Sequence, residues 1–443
     1  MTSVQVAPAA PTQRWNTLQV LKGTRIGLLA LIGGLLLTII LGADEHRHAM
    51  QVVGNDTAPS IIAAQHIKAA LADMDADLAN DLLIPAGFAN PSLGAYDERR
   101  VEGSEALIEA AKNITYDAEK APIESVQVTT GTYERLAQQA RDLEDEGQPD
   151  VSTRYYRAAG IIMDGTILPA ADDLDKANND VLEREYEQQS SRSLITRLFV
   201  GFLGLAALAA LGAAQLYLTR RTRRTINPAL FAATILTFGL TIYAFHGMSS
   251  EAHDLHVARE DAFTSIHALW QARALAFSAN GSESRYLLDP LHASEYEAEF
   301  RKRTAANNLD STGHPALGVK GFLANELDNI TFPGEREAAV RTVAAFNRYM
   351  AIDGQIRQLE ASGQHQQAIA LDIGTSEGQS NWAFAQFDDA LGATLKINKD
   401  AFDASVADGF SSVSGMEWKS AIAAVLIAVL IFLGLAPRIR EYE

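Results

Sequence analysis

Four long apolar runs interrupt an otherwise polar chain of 443 residues. They cover residues 26–43, 198–218, 229–248 and 420–436, and none contains Asp, Glu, Lys or Arg. An α-helix of roughly 20 apolar residues crosses a hydrocarbon core about 30 Å thick. The pattern therefore predicts four transmembrane helices. The first run also has the length of a signal peptide, but the three later runs favour a retained anchor.

Apolar residues between these runs recur at helical spacing. The two clearest sets are Ile67, Leu71, Met74, Leu78 and Leu82, and Phe384, Phe387, Leu391, Leu395, Asn398 and Phe402. Steps of three and four residues put each set on one helix face. Gly- and Pro-containing turns break each long segment three times, and Pro169 predicts a helix start or kink. The sequence thus predicts an all-α fold with two tandem four-helix bundles, at residues 44–197 and 249–419.

The charge distribution predicts the orientation of these segments. Residues 1–25, 219–228 and 437–443 together contain nine basic and two acidic residues. Short basic segments stay in the cytoplasm. We therefore expect a multi-pass protein of the cell membrane with both termini in the cytoplasm and both bundles outside it. The net charge of −18 argues against nucleic acid as a partner, because phosphates would be repelled.

The two halves of the chain have similar sequences. With a shift of 216 residues, Tyr133 aligns with Tyr349 and Arg141 aligns with Arg357. A second register, near 204, aligns residues 70–72 with residues 274–276, both Ala-Leu-Ala. The ordered matches and the repeated span–bundle–span plan favour an internal duplication. The alternative is chance similarity between Ala-rich helices.

The plan of a span, a bundle of about 150 residues and a returning span resembles the four-helix-bundle sensor domains of bacterial chemoreceptors and sensor kinases. The whole chain is similar to a duplicated four-span membrane protein of actinobacteria, through its length, its basic middle loop and residues 276–288 (AFSANGSESRYLL). That family couples an extracytoplasmic amino-acid-binding lipoprotein to a soluble Ser/Thr kinase. The resemblance implies a bacterial sensor with a solute-binding protein outside and a kinase inside as partners.

No catalytic pattern is present in the sequence. The chain has no cysteine, no phosphate-binding loop and no HExxH or GxSxG motif. We expect no enzymatic activity, no catalytic residue, no cofactor and no metal. The aspartates at positions 73, 75, 77 and 81 lack the glycine turn of a calcium loop and are interpreted as a solvated helix face.

Arginine and aromatic residues on the predicted helices of the second bundle are the candidate ligand-binding residues. A guanidinium binds carboxylates in bidentate fashion, and an aromatic ring covers an apolar or cationic group. The candidates are Trp270, Arg273, Arg348, Tyr349, Arg357 and Trp382, with Tyr133, Arg141 and Tyr155 as counterparts in the first bundle. Ordinary bundle packing and salt bridges are the alternative interpretation.

These patterns together predict a non-enzymatic transmembrane sensor. It would relay the state of an extracytoplasmic solute or solute-binding protein to a cytoplasmic partner. The candidate surface for that partner is Arg220, Arg221, Arg223 and Arg224. Their positive charge is also explained if they only keep this loop in the cytoplasm and bind no partner. Ala206, Ala210 and Ala214 recur every four residues, which suits helix packing within one chain or in a homo-oligomer. A structural envelope protein and an accessory subunit of a transporter are the alternative functions.

Overall fold

The computed structural model describes residues 17–84, 91–222, 226–306 and 321–441. These residues form α-helices with short 3₁₀ and π segments, and they contain no strand. The all-α prediction is confirmed. The helices are α1 (Thr17–Gln51), α2 (Ala58–Leu83), α3 (Pro91–Lys112), α4 (Lys120–Asp145), α5 (Pro149–Ile162), α6 (Leu168–Thr222), α7 (Pro228–His256), α8 (Thr264–Leu288), α9 (Ala293–Ala305), α10 (Phe322–Asp328), α11 (Glu335–Ala361), α12 (His365–Asp372), α13 (Ser380–Val413) and α14 (Met416–Arg440).

The described helices form two compact units. The membrane unit consists of residues 17–48, 188–222, 226–253 and 409–441. All four predicted spans lie in it, inside helical stretches long and apolar enough to cross a membrane. Its core is aliphatic, with Leu35, Ile39, Leu211 and Ile427 fully buried. Large apolar side chains also cover its outside, including Phe202 at 67% exposure, as expected for a surface that faces lipid tails.

Close helix packing in the membrane unit depends on a few glycines. A Cβ at Gly247 would lie 2.8 Å from the backbone oxygen of Ser412 and 2.5 Å from the Met416 side chain. A Cβ at Gly204 would collide with the Thr241 side chain. By contrast, a Cβ at Gly33 or Gly34 in the first span would have no neighbour within 4 Å. Within the first span, the tight position is Gly42, where a Cβ would lie 2.5 Å from the Thr196 side chain.

The second unit, here called the polar unit, consists of residues 49–187 and the described part of residues 254–408. Helix α2 packs along α8 and also against α3, while α4 packs on α5 and α8 on α9. The predicted core face of α2 is buried from Ile67 to Leu82, and that of α13 from Phe384 to Phe402. Both predicted faces are confirmed. The two segments belong to one compact unit, and the subdivision into two tandem bundles at 44–197 and 249–419 stays a prediction.

Three π-helical segments interrupt the long helices. Val52–Thr57 separates α1 from α2, Val257–Phe263 separates α7 from α8, and Met163–Ile167 separates α5 from α6. In α6, α geometry resumes at Leu168, next to Pro169, which cannot donate a backbone hydrogen bond. Pro169 therefore lies at a change from π to α geometry inside one continuous helical stretch, Pro149–Arg221, and no helix starts there. The kink predicted as the alternative stays a prediction.

Two local structures occur twice, 216 positions apart. Glu119 accepts hydrogen bonds from the backbone N–H groups of Thr115 and Tyr116, and Glu335 does the same for Thr331 and Phe332. Helices α4 and α11 also end in the same turn, with Gly147 at φ 72° and Gly363 at φ 77°. In each turn the glycine N–H donates to a glutamate carbonyl three residues earlier. Glycine suits both positions because its φ is positive.

Candidate functional site

A buried arginine lies at the centre of a polar network in the polar unit. Arg285 is 3% exposed, and its Nε donates to the hydroxyl of Tyr156 at 2.9 Å. Its Nη1 lies 2.6 Å from Asp164, and its Nη2 donates to Asp75. Tyr133 donates to the other oxygen of Asp75 at 2.9 Å. One guanidinium on α8 is thus bound by three side chains from the first half of the chain, which joins the two halves.

The electrostatics of this network favour the ionised form of Asp164. Arg303 adds a second cation, with its Nη2 2.8 Å from Asp164 and its Nη1 2.6 Å from the hydroxyl of Ser282. Burial opposes ionisation of Asp164, but Arg285 and Arg303 outweigh it and hold the pKa below its usual value. Burial raises the pKa of Asp75 despite its bonds to Arg285 and Tyr133. The network is a charge-assisted set of buried hydrogen bonds, so loss of one member leaves others unpaired.

A cavity of about 320 Å³ opens beside this network. Two glycines lie in its wall: a Cβ at Gly165 would meet nothing within 4 Å, and a Cβ at Gly160 would lie 3.5 Å from the Arg285 guanidinium. Its volume lies at the lower end of the range for small-molecule sites. The lining residues are Tyr156, Arg157, Gly160, Ile161, Asp164, Gly165, Arg285, Glu295, Tyr296 and Glu299.

A second buried cluster, of carboxyl groups, includes two of the predicted ligand residues. Glu283, Asp353 and Asp372 are at most 6% exposed, and burial raises the pKa of each, that of Asp372 to about 7. Arg357 pairs with Asp353 and Glu297, both at 2.8 Å, and its guanidinium stacks on the ring of Tyr286. Tyr349 is fully buried among the aromatic rings of Phe300, Phe346 and Phe384.

The other four predicted ligand residues form two separate pairs. Arg273 lies 5.1 Å from the Trp270 ring and donates two hydrogen bonds, of 2.6 and 2.7 Å, to Asp388. Arg348 lies 5.6 Å from the ring of Trp382. The guanidiniums of Arg273 and Arg357 are thus bound by carboxylates of the chain itself. Their role in binding a ligand stays a prediction.

The solvated-face interpretation of the aspartates in α2 is wrong. Asp75 is 3% exposed, and the side chains of Asp73 and Asp81 are 13% and 10% exposed. Arg99 pairs with Asp73, and Arg141 pairs with Asp81, each at 2.6 Å. The signal was present in the sequence: residues 69–79 are alanine, leucine or methionine at every position except the three aspartates. A helix that is apolar all round is buried, so an acid within it needs a partner.

The arginine partners of these aspartates could not be predicted from helical spacing. Arg285 lies in the Ala- and Ser-rich stretch of residues 276–288. Such small residues allow close helix approach, and a lone arginine among them must find buried acceptors. Within the described residues, no group of three His, Asp or Glu side chains is arranged to hold a metal ion.

The predicted cytoplasmic surface is only partly described. Arg220 and Arg221 are exposed at the end of α6, whereas Arg223 and Arg224 lie outside the described residues. Asn227, which follows them, donates a hydrogen bond of 2.8 Å to the backbone oxygen of Gly434. This contact holds the start of α7 against α14.

Residues 49–187 match the model of a family described as an actinobacterial sensor domain. No curated protein matches the chain, and no solved structure matches it. The match supports a bacterial sensor protein of the actinobacterial type, and four apolar helices make it a membrane protein.

Proposed function

We propose that this chain is a non-enzymatic transmembrane signal transducer of the bacterial cell membrane. The polar unit responds to a solute, or to a solute-binding protein, outside the cytoplasm. The membrane unit relays the response to a protein inside. The observation that carries the proposal is the extent of the sensor match: residues 49–187 are also the residues that the first half contributes to the polar unit.

The connections between the two units support a relay through helices. The chain passes between them after His48, Glu187, His253 and Asp408. These points lie within α1, α6, α7 and α13. A helix transmits a small shift or rotation along its axis, whereas a flexible loop absorbs it.

The repeated turns support an origin of the two halves by duplication. Glu119 and Glu335 make the same pair of backbone contacts, and Gly147 and Gly363 occupy the same kind of helix end. Each half then supplies two spans, and residues 254–408 are a second, diverged sensor segment.

Orientation is the first test of this proposal. A reporter that is active only in the cytoplasm, fused after Asn227 or at the C-terminus, should be active. The same reporter inserted after Gly147, in the turn between α4 and α5, should be silent. An active reporter after Gly147 would place the sensor segment inside the cell and overturn the proposal.

Partner capture is the second test. We expect the cytoplasmic partner to be a protein with an acidic surface, such as a Ser/Thr kinase, because the inner segments of this chain are basic. In-cell crosslinking should capture it, and reversal of Arg220, Arg221, Arg223 and Arg224 to Glu should abolish the capture. Reversal of the exposed Arg135 and Arg341 is the matched control and should leave capture unchanged. The reporter must first show that the variant keeps its orientation, since these charges also set topology.

A further inference from the structure

The buried carboxyl cluster of the polar unit contains more acids than cations. Glu283 on α8, Asp353 on α11 and Asp372 at the end of α12 are 0%, 6% and 0% exposed. Among the described residues, Arg357 is the cation that faces all three. Arg357 is already paired with Asp353 and with Glu297, both at 2.8 Å. Four carboxyl groups thus share one guanidinium, and a buried ion without a counterion costs several kcal/mol.

Hydrogen bonds do not make up for the missing cations. Neither oxygen of Asp372 makes a hydrogen bond with the described residues. Ser284 faces Asp372, but its hydroxyl donates to Asn80 at 2.7 Å. The hydroxyl of Tyr349, a residue with 0% exposure that faces Glu283, also has no hydrogen-bond partner in the described part of the chain. A carboxylate only accepts hydrogen bonds, whereas a neutral carboxyl also donates one, so a proton adds a donor to a group made mostly of acceptors.

Helix α12 covers the cluster and is short enough to move. It consists of eight residues, His365–Asp372, and it packs on α11 and α8, which carry the other two carboxyls. A cavity of about 320 Å³ lies at its end, with Ile373 and Thr375 in the lining. Asn280 also lines this cavity, and its Nδ2 lies 3.5 Å from Glu283. The cavity therefore gives solvent a route to the carboxyls.

We propose that Glu283, Asp353 and Asp372 form a proton-binding site that keeps α12 docked on α8 and α11. Loss of the proton to water leaves like charges buried side by side, and α12 then moves away from them. The polar unit thereby responds to pH. The proposal rests on the function proposed above only in placing this response outside the cytoplasm.

The direction of the pH response follows from the burial of these groups. Burial raises the pKa of all three carboxyls, and for Glu283 the charges of Asp372 and Asp353 raise it further. For Asp372 the pKa rises from 3.8 to about 7. Between these values docked α12 keeps the proton and undocked α12 releases it, so docking weakens as pH rises.

Infrared spectroscopy of the full-length protein detects the bound proton directly. A maltoside detergent is suitable because it contains no carbonyl group. We expect the C=O band of a neutral carboxyl at pH 6, where exposed carboxyls are ionised. It should be smaller in Asp372→Asn, and smaller again in Asp372→Asn combined with Glu283→Gln. Other buried carboxyls also contribute, so the difference between variants is the measurement. Asp408→Asn, on an exposed aspartate, is the control and should keep the full band. A full band in both cluster variants would overturn the site.

Hydrogen–deuterium exchange of the same full-length protein measures the docking of α12. After correction for the chemical exchange rate, exchange of residues 365–379 should rise about tenfold or more between pH 5 and pH 8. In Asp372→Asn it should stay slow at both pH values, and Asp408→Asn should behave as wild type. Equal protection of these residues in wild type at both pH values would overturn the response.

His365 provides a second control, because it lies on the same helix. It pairs with Glu360 of α11 at 2.8 Å, and histidine as a residue type also changes charge near neutral pH. His365→Gln removes this titration and should leave the pH response of residues 365–379 in place. A response that is lost in His365→Gln and kept in Asp372→Asn would assign it to the histidine and overturn the proposal.

These results are independent of the orientation of the chain. Absence of the bound proton together with normal capture of a cytoplasmic partner would overturn the proton site alone. A bound proton together with an active reporter after Gly147 would overturn the proposed function and leave the site intact.

Discussion

Single residues decide whether the polar unit holds together, because its interior contains ions. Buried charges cost several kcal/mol each unless they are paired, so each guanidinium there depends on specific acceptors. Arg285 has three such acceptors, in Asp75, Tyr156 and Asp164. The sequence predicts that these segments are helical, but it does not predict this pairing, because helical spacing does not show which side chains of neighbouring helices meet.

Replacing Arg285 should therefore be costly. Arg285→Met keeps much of the length of the side chain but leaves Asp75 buried and without its cation. We expect a loss of about 3–5 kcal/mol in the free energy of unfolding. Arg301→Met is the matched control, because the Arg301 side chain is 76% exposed, and it should change stability by under about 0.5 kcal/mol. Thermal unfolding of both purified variants measures the difference, and equal melting temperatures would contradict the assignment.

Asp372 should make stability depend on pH. Burial raises its pKa from the ordinary 3.8 to about 7 in the folded protein. Between these values the unfolded chain releases the proton and the folded chain keeps it, so stability falls as pH rises. Asp372→Asn removes this penalty, and its stabilising effect should be larger at pH 8 than at pH 5, by about 2–3 kcal/mol. Asp408→Asn, on an exposed aspartate, should show no such difference. An equal effect of Asp372→Asn at both pH values would argue against a raised pKa.

At the scale of elements, hydrophobic spacing predicted which segments are helical. It did not predict which residues of neighbouring helices make the closest contacts. The buried faces of α2 and α13 follow from residue type and spacing alone. The glycine contacts do not, because several glycines occur in the spans and their neighbours depend on how each helix is rotated. Gly33 faces open space, and Gly247 faces a backbone carbonyl.

Helix α7 provides a direct comparison of two glycines. Gly247→Ala places a methyl group 2.8 Å from the carbonyl oxygen of Ser412, which cannot rotate away as a side chain can. We expect a loss of about 1–3 kcal/mol, from overpacking. Gly239→Ala has no neighbour within 4 Å and should leave the melting temperature in detergent unchanged or slightly higher. Destabilisation by both variants to the same degree would mean that the contact with Ser412 is not tight.

At the scale of the whole molecule, the two halves of the chain depend on each other. The sequence predicted their similarity and their membrane spans, but it contained no sign that both segments contribute to one compact unit. Helical spacing shows which residues of α2 and α8 share a face, but it does not show whether that face meets a helix of the same half or of the other. The structure shows α2 packed along α8.

Splitting the chain in the basic loop tests this dependence. Residues 1–225 and 226–443 produced together as two polypeptides should co-purify, because Arg285 pairs with Asp75 and Asp164 across the split. Either half alone should aggregate, since it exposes a face of α2 or α8 together with an unpaired charge. Two halves that are each monodisperse and helical alone would show instead that each folds by itself. A split pair carrying Arg285→Met should co-purify less than a pair carrying Arg301→Met.

The central arginine also limits how the chain could have been assembled from equal parts. In the register that aligns residues 70–72 with 274–276, position 285 corresponds to position 81, which is an aspartate. A protein made of two copies of the first half would bring a third carboxylate up to Asp75 and Asp164 in place of the Arg285 guanidinium. The two halves are thus complementary at this position, and exchange of one for a copy of the other should break the protein even where their sequences agree.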